Sequence, residues 1–298
     1  MAVNAVNPTD FSEAPPRVSE WKRFVRVFFQ RRIVIFGLLV LVVLSITAIF
    51  AKQLAPFDPY KQDLRNILQQ PSAEHLLGTD PIGRDTFSRL IYGTRTALTV
   101  GFVSVAIASV VGVTLGVLAG YFRGITNMLI MRFTDILMPF PMIVLALLLA
   151  AVLGGGIQNI VLALGIATIP GYIRVMCGMT LSIKENDYIL AAKASGASHI
   201  RIMFRHIFPN AIAPIIVVIT LQLGFLILAE AGLSFLGIGI KPPGAAWGAM
   251  VSEGYKYLVR LPVLSFAPGA AIMLVVFAFN IVGDALRDAL DPRLRGTI

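Results

Sequence analysis

Six stretches of this chain stay apolar for about the 20 residues that a helix needs to cross a bilayer, and that one feature excludes most folds. They lie at 33–51, 97–121, 133–153, 157–176, 211–231 and 261–283, and their only charges are Asp135, Arg174 and Glu230, each near a span end. The whole chain agrees. Hydrophobic residues are 57% and charged residues 14%, with a mean hydropathy of +0.81, where a soluble domain carries roughly 25% charge. A soluble enzyme and a disordered chain are both excluded. The expected fold is all-α, a polytopic membrane protein with six transmembrane helices.

An even number of crossings puts both termini on one side. Lys and Arg number six in the N-terminal tail, two between the second and third spans, five between the fourth and fifth, and three in the C-terminal tail, or 16 in all, against nine on the other side. That excess marks the cytoplasmic face. It also accounts for the net charge of +9 through membrane lipid, since basic loops sit beside anionic headgroups, with no nucleic acid partner. The organisation that follows is a cytoplasmic tail at 1–32, a first span at 33–51, an external loop at 52–96, a core at 97–283 and a cytoplasmic tail at 284–298. Within the core, a cytoplasmic loop runs from 184 to 209 and a second external loop from 232 to 260. Gly154-Gly155-Gly156 forms a tight turn between the third and fourth spans.

The N-terminal tail is too long, polar and acidic for a cleaved signal peptide. In residues 19–30, SEWKRFVRVFFQ, apolar Trp21, Phe24, Val25 and Phe28 recur at helical spacing between basic residues. This is either an amphipathic helix in the headgroup region or a straight extension of the first span. The single cysteine, Cys177, excludes an intrachain disulfide, and His75, His199 and His206 make no metal-ligand set.

In the second span Ser104, Ala108, Gly112, Gly116 and Gly120 recur every four residues, a small-residue stripe that lets two backbones approach closely. Its bland reading is static packing and its functional reading is a helix that rocks against a neighbour. Asp135 is expected to pair with Arg132 one helical turn away. Pro139 and Pro141 are expected to kink or interrupt the third span. The spans contain no chain of buried acids of the kind an ion-driven carrier uses, so the energy source is expected to lie elsewhere.

Two motifs fail on chemistry. Residues 78–85, GTDPIGRD, have P-loop glycine spacing, but Arg84 and Asp85 stand where Lys and Ser or Thr must hold phosphate and magnesium. Intramembrane hydrolysis lacks its residues as well. There is no H-E-x-x-H helix, no span offers a Ser with a His or Lys base, and the acid pair Asp135 and Asp284 sits at span ends. The loop at 184–209, KENDYILAAKASGASHIRIMFRHIFP, has the outline of a helix-turn-helix with Gly196 in the turn. A DNA-reading helix needs room to enter a groove, and a helix pair fixed between two spans is better placed to dock on a partner at the membrane surface.

This loop resembles the coupling loop of ABC-importer permeases, E-A-A-x-x-x-G-x9-I-x-L-P, in Ala191, Ala192, Gly196 and Pro209, with Leu190, His206 and Phe208 replacing the acid, the Ile and the Leu. Residues 75–98, 234–250 and 279–293 are similar to the dipeptide/oligopeptide/nickel class of permeases, and more narrowly to its C-type subunit.

The resemblance implies a type I ABC importer permease fold. It also implies a heterodimer with a second, homologous permease, two ABC ATPase subunits beneath it and an extracytoplasmic solute-binding protein above. ATP and magnesium would be bound by those partners, leaving this chain with no cofactor and no catalysis of its own. Ala191, Ala192, Gly196, Ala197, Ser198, Arg201, Arg205 and Pro209 would form the ATPase-coupling surface. The solute would be a di- or oligopeptide or a similar small molecule, and the chain would sit in the cell inner membrane. The rival readings are a membrane-anchored DNA-binding regulator using 187–209 and a self-sufficient secondary carrier.

Overall fold

A computed structural model describes residues 20–241 and 243–290, and the expectations placed on residues 1–19, 242 and 291–298 lie outside the described residues. The described chain is helical throughout its ordered elements. In order these are α1 (Glu20–Phe28), α2 (Ile33–Ile49), α3 (Ala51–Leu54), α4 (Thr86–Tyr121), α5 (Ile125–Leu137), α6 (Met142–Leu153), α7 (Ile157–Ile183), α8 (Asp187–Ala194), α9 (His199–Ile202), a π-helical turn (Met203–Ile207), α10 (Phe208–Phe235), α11 (Trp247–Tyr255) and α12 (Val263–Leu290). Four continuous helices are long and apolar enough to span a membrane, and two bent pairs bring the number to six.

The bent pairs refine the reading of the spans. The third is interrupted at the prolines as expected, into α5 and α6 at 89° to each other. Pro139 and Pro141 cause the break, because each removes a backbone donor and Pro141, at ψ 129°, leaves helical geometry. α6 alone, at 12 residues, is about 18 Å long. The first pair settles the open question about the tail. α1 meets α2 at 91°, so it is not a straight extension of the span. Its Val27 and Phe28 are buried with Val34, Val282, Ala285 and Ala289.

Helices run past the apolar limits read from sequence. α4 begins at Thr86 and not at 97, and its 36 residues make it about 54 Å long. Asp85 caps it by accepting a hydrogen bond from Ser88 N at 2.7 Å. α7 continues to Ile183, beyond the expected 176, and α12 continues to Leu290, beyond 283. The fifth span, expected over 211–231, is part of a helical run from His199 to Phe235.

The core is built on α4 and α7. A Cβ built on Gly112 would stand 2.4 Å from Tyr172 Cβ, one on Gly116 2.7 Å from Met176 Cβ, and one on Gly120 2.6 Å from Thr180 Cβ. The partner numbers rise in step, so the helices run parallel with backbones in contact. Ser104 and Ala108 continue the seam, both fully buried, and Ser104 Oγ donates to Val161 O at 3.1 Å. α10 and α12 close the bundle, with Gly101 against Ile227 and Gly224 against Phe279. α1, with which the described residues begin, and the end of α12 lie together at the Tyr121 end of this bundle.

At the opposite end, residues 52–85 and α11 form a cap. The GTDPIGRD segment forms a braced turn within it. Gly78 and Gly83 adopt φ of 71° and 78°, and a Cβ on either would collide with the backbone of Gln69 or Asp63. His75 Nδ1 lies 2.8 Å from Asp85 Oδ1. Arg84 Nε donates to Asp80, and its Nη2 donates to Glu253 Oε2 at 3.1 Å, tying this turn to α11. Trp247 Nε1 donates to Leu90 O at 3.0 Å over the space left by Gly93.

Candidate functional site

The segment 184–209 projects from the Tyr121 end as a helix, a turn and a second helix. α8 is stopped by a glycine turn. Gly196 has φ 79°, its N–H donates to Lys193 O at 3.0 Å, and Ala197 N–H donates to Ala192 O at 3.0 Å. These two reversed bonds satisfy the last carbonyls of α8 and require a left-handed residue at 196. Ser198 then caps α9 by accepting from Arg201 N at 3.4 Å.

The segment is seated firmly and exposed selectively. Ile189 on α8, Ile202 on α9 and Ile207 in the π turn are each 0% exposed and pack with Tyr121 and Ile183. Ala191, Lys193, Ala194, Ser195, Gly196, Ser198, Arg201 and Arg205 are exposed, while Ala192 and Ala197 are half-buried. Three apolar side chains are also exposed, Leu190 at 53%, Ile200 at 66% and Phe204 at 72%. The outcome is a rigid knob with a small-residue tip, flanked by cations and apolar side chains.

The second helix differs from its sequence outline. It does not end at Pro209. α9 is four residues long and passes through the π turn into α10, where exposed Pro209 occupies the first turn. The missing N–H of Pro209 falls directly after the π turn, where the regular hydrogen-bond ladder is already interrupted. The knob is thus continuous with a membrane-spanning helix, and among the described residues 184–209 form no free recognition helix.

Other expectations are corrected. Asp135 pairs with Arg174 of α7 at 2.8 Å and not with Arg132, because the bend at 138–141 turns α5 toward α7. Asp284 is exposed on α12, and no hydrogen bond joins it to Asp135 among the described residues. Sequence reasoning missed the contacts that brace the knob. Tyr121 Oη lies 2.8 Å from His199 Nδ1, and Lys184 Nζ donates to Gly120 O at 2.6 Å. Burial, then the nearby Arg123 and Lys193 cations, holds the Lys184 amine below the usual lysine range. It also missed Glu230, 1% exposed, which accepts from Ser234 Oγ at 2.6 Å near the cap. Spacing alone gives the Glu230–Ser234 pair; the others join residues more than 60 positions apart.

The family described as binding-protein-dependent transport system inner membrane component matches residues 112–296, more than half of the chain. The chain belongs to this family. A second description, the N-terminal TM domain of oligopeptide transport permease C, matches residues 19–71. The permease is 42% identical over 278 residues to the dipeptide transport system permease protein DppC of Alkalihalophilus pseudofirmus, covering 93% of this chain and 91% of the relative. It is 42% identical over 287 residues to the glutathione transport system permease protein GsiD of Pectobacterium atrosepticum, covering 96% and 94%. A solved structure of the MetNI methionine ABC transporter in inward facing conformations shares its fold, with a TM-score of 0.54 at 19% identity, covering 68% of this chain and 96% of that chain. The permease is therefore a multi-pass inner-membrane subunit of an ABC importer with a type I permease fold, and the regulator reading is set aside.

Proposed function

We propose that this permease pairs with a second, homologous permease to form one half of a pathway for di- or oligopeptides, including glutathione-like peptides. A solute-binding protein delivers the solute at the cap, and two ATPases dock at the opposite, cytoplasmic end. Both termini lie on that cytoplasmic side. ATP and magnesium belong to the ATPases, and this chain binds no cofactor and catalyses nothing. The substrate class rests on what the two relatives are named for.

The observation that carries the coupling role is the exposed small-residue tip, Ala191 to Ser198, on a knob whose Ile189 and Ile202 are wholly buried. Small residues admit a close partner surface, and the buried anchors turn a push on the tip into movement of α10. Such a partner supplies work by binding one conformation better than the other.

The chain's one cysteine, Cys177, is buried, so Ser195→Cys introduces a single reactive thiol at the tip. In inverted membrane vesicles a membrane-impermeant maleimide is expected to label it when the ATPases are stripped, and to be excluded when they are bound. Labelling from outside intact spheroplasts, or labelling undiminished by bound ATPase, overturns the assignment. Uptake by ATPase-free liposomes under an ion gradient would favour a self-sufficient carrier.

A further inference from the structure

Beside the knob, where α4 and α7 end, a groove of about 610 Å³ opens between the α4–α5 connection, α8 and α9. Arg123, Lys184, Lys193 and His199 line it, and Phe122 and Leu190 form apolar walls. We propose that this groove holds the phosphodiester headgroup of an anionic phospholipid.

Three observations carry the assignment. The cations outnumber their partners. Glu185 is the one acid lining the groove and stands 3.6 Å from Arg123. Lys184 meets a neutral carbonyl, and Lys193 has no carboxylate within 4.0 Å among the described residues, its Nζ resting 5.8 Å from the centre of the Tyr121 ring. The cations also crowd one another, since Arg123 and Lys193 both act to discharge Lys184 after burial has done so, and a bound anion reverses that effect. The third observation is position. The apolar run of α4 stops at Tyr121, which sets the groove beside the headgroup region, where aromatic and basic side chains gather. Phe122 and exposed Leu190 give an acyl chain a wall to lie on, a feature that a free phosphate ion cannot use.

The reading is independent of the solute carried; it shares Leu190 and Lys193 with the knob proposed to dock the ATPases, and its readout, a retained lipid, does not require docking. The test uses the full chain with whatever subunits co-purify, passed through nanodiscs of phosphatidylcholine with a minority of phosphatidylglycerol and examined by native mass spectrometry. One retained phosphatidylglycerol is expected. The double variant Arg123→Gln/Lys193→Gln is expected to retain it about thirtyfold more weakly, roughly fivefold for each cation removed, and Arg123→Lys/Lys193→Arg to retain it as the parent does. Equal retention in the glutamine variant overturns the proposal, and so does complete displacement by inorganic phosphate, which would mark a soluble-anion site. Should the glutamine variant fail to assemble, the parent decides alone, since retention of phosphatidylcholine in equal measure also overturns it.

Discussion

Asp135 on α5 and Arg174 on α7 form a hydrogen-bonded ion pair of 2.8 Å, and this contact ties the half of the broken span before the bend to the helix that leads into α8. Both side chains are about half exposed, so the pair adds little to global stability, at most about 1 kcal/mol. Under the proposed coupling role, its value lies in holding α5 in register with α7. Asp135→Asn is expected to leave thermal unfolding of the purified complex almost unchanged and to lower ATP-driven solute uptake. The exchanged pair Asp135→Arg/Arg174→Asp is expected to recover part of that uptake. A large loss of unfolding temperature in Asp135→Asn, or no recovery in the exchange, would show that the contact does something else.

The α4–α7 seam leaves no room for side chains. On Gly116 a Cβ would lie 2.7 Å from Met176 Cβ and 2.8 Å from Ile173 O, and the second of these is backbone that cannot rotate away. Gly116→Leu is expected to destabilise the subunit by about 1–3 kcal/mol through overpacking. Gly178→Ala, on α7 with nothing within 4 Å, is the matched control and is expected to be neutral or slightly stabilising. Unfolding midpoints in detergent compare the two directly.

How far the sequence carried is clearest at the ends of the helices. Apolar runs reveal the spans because lipid tolerates little else, but a run stops at the first charge and a helix need not. α4 continues through Arg89, which lies 1% exposed between Asp80 and Glu253, and α12 continues past Asp284 to place Asp288 3.2 Å from Arg31. Each extension depends on a partner far away in the chain. The stripe from Ser104 to Gly120 announces a close neighbour without naming α7. Gly196 is legible as a turn, whereas the passage of α9 into α10 through a π turn is not, because Pro209 reads equally as an end and as a first turn. Asp135 shows the same limit, since spacing offers Arg132 and the bend delivers Arg174.

The cap holds a buried ionic cluster that is sensitive to loss of one charge. Asp80 faces both Arg84 and Arg89, its side chain 7% exposed, and Arg89 Nε and Nη1 already have no hydrogen-bond partner. Asp80→Asn keeps the shape and removes the charge, which leaves two guanidiniums to share Glu253. Breaking a buried pair in this way costs about 3–5 kcal/mol. The expected result is a lower unfolding temperature and protease sensitivity within residues 56–85, with α8–α9 still able to capture ATPase. Unchanged stability would mean that water or Glu253 already satisfies both arginines.

Gly196 separates a backbone requirement from a docking requirement. Its φ of 79° disfavours a side chain, yet nothing within this chain lies within 4 Å of a Cβ built there. Leucine at this position must bear the left-handed conformation, about 1–2 kcal/mol, whereas asparagine adopts it with little strain. Gly196→Asn is therefore expected to keep the knob folded, with unfolding like that of the parent, and Gly196→Leu to loosen it. If an ATPase closes over the tip, both variants lose capture in co-purification, because both place a side chain where the partner approaches. Full capture by Gly196→Asn with loss in Gly196→Leu would show that the glycine serves the turn alone and that the partner's surface lies along α8.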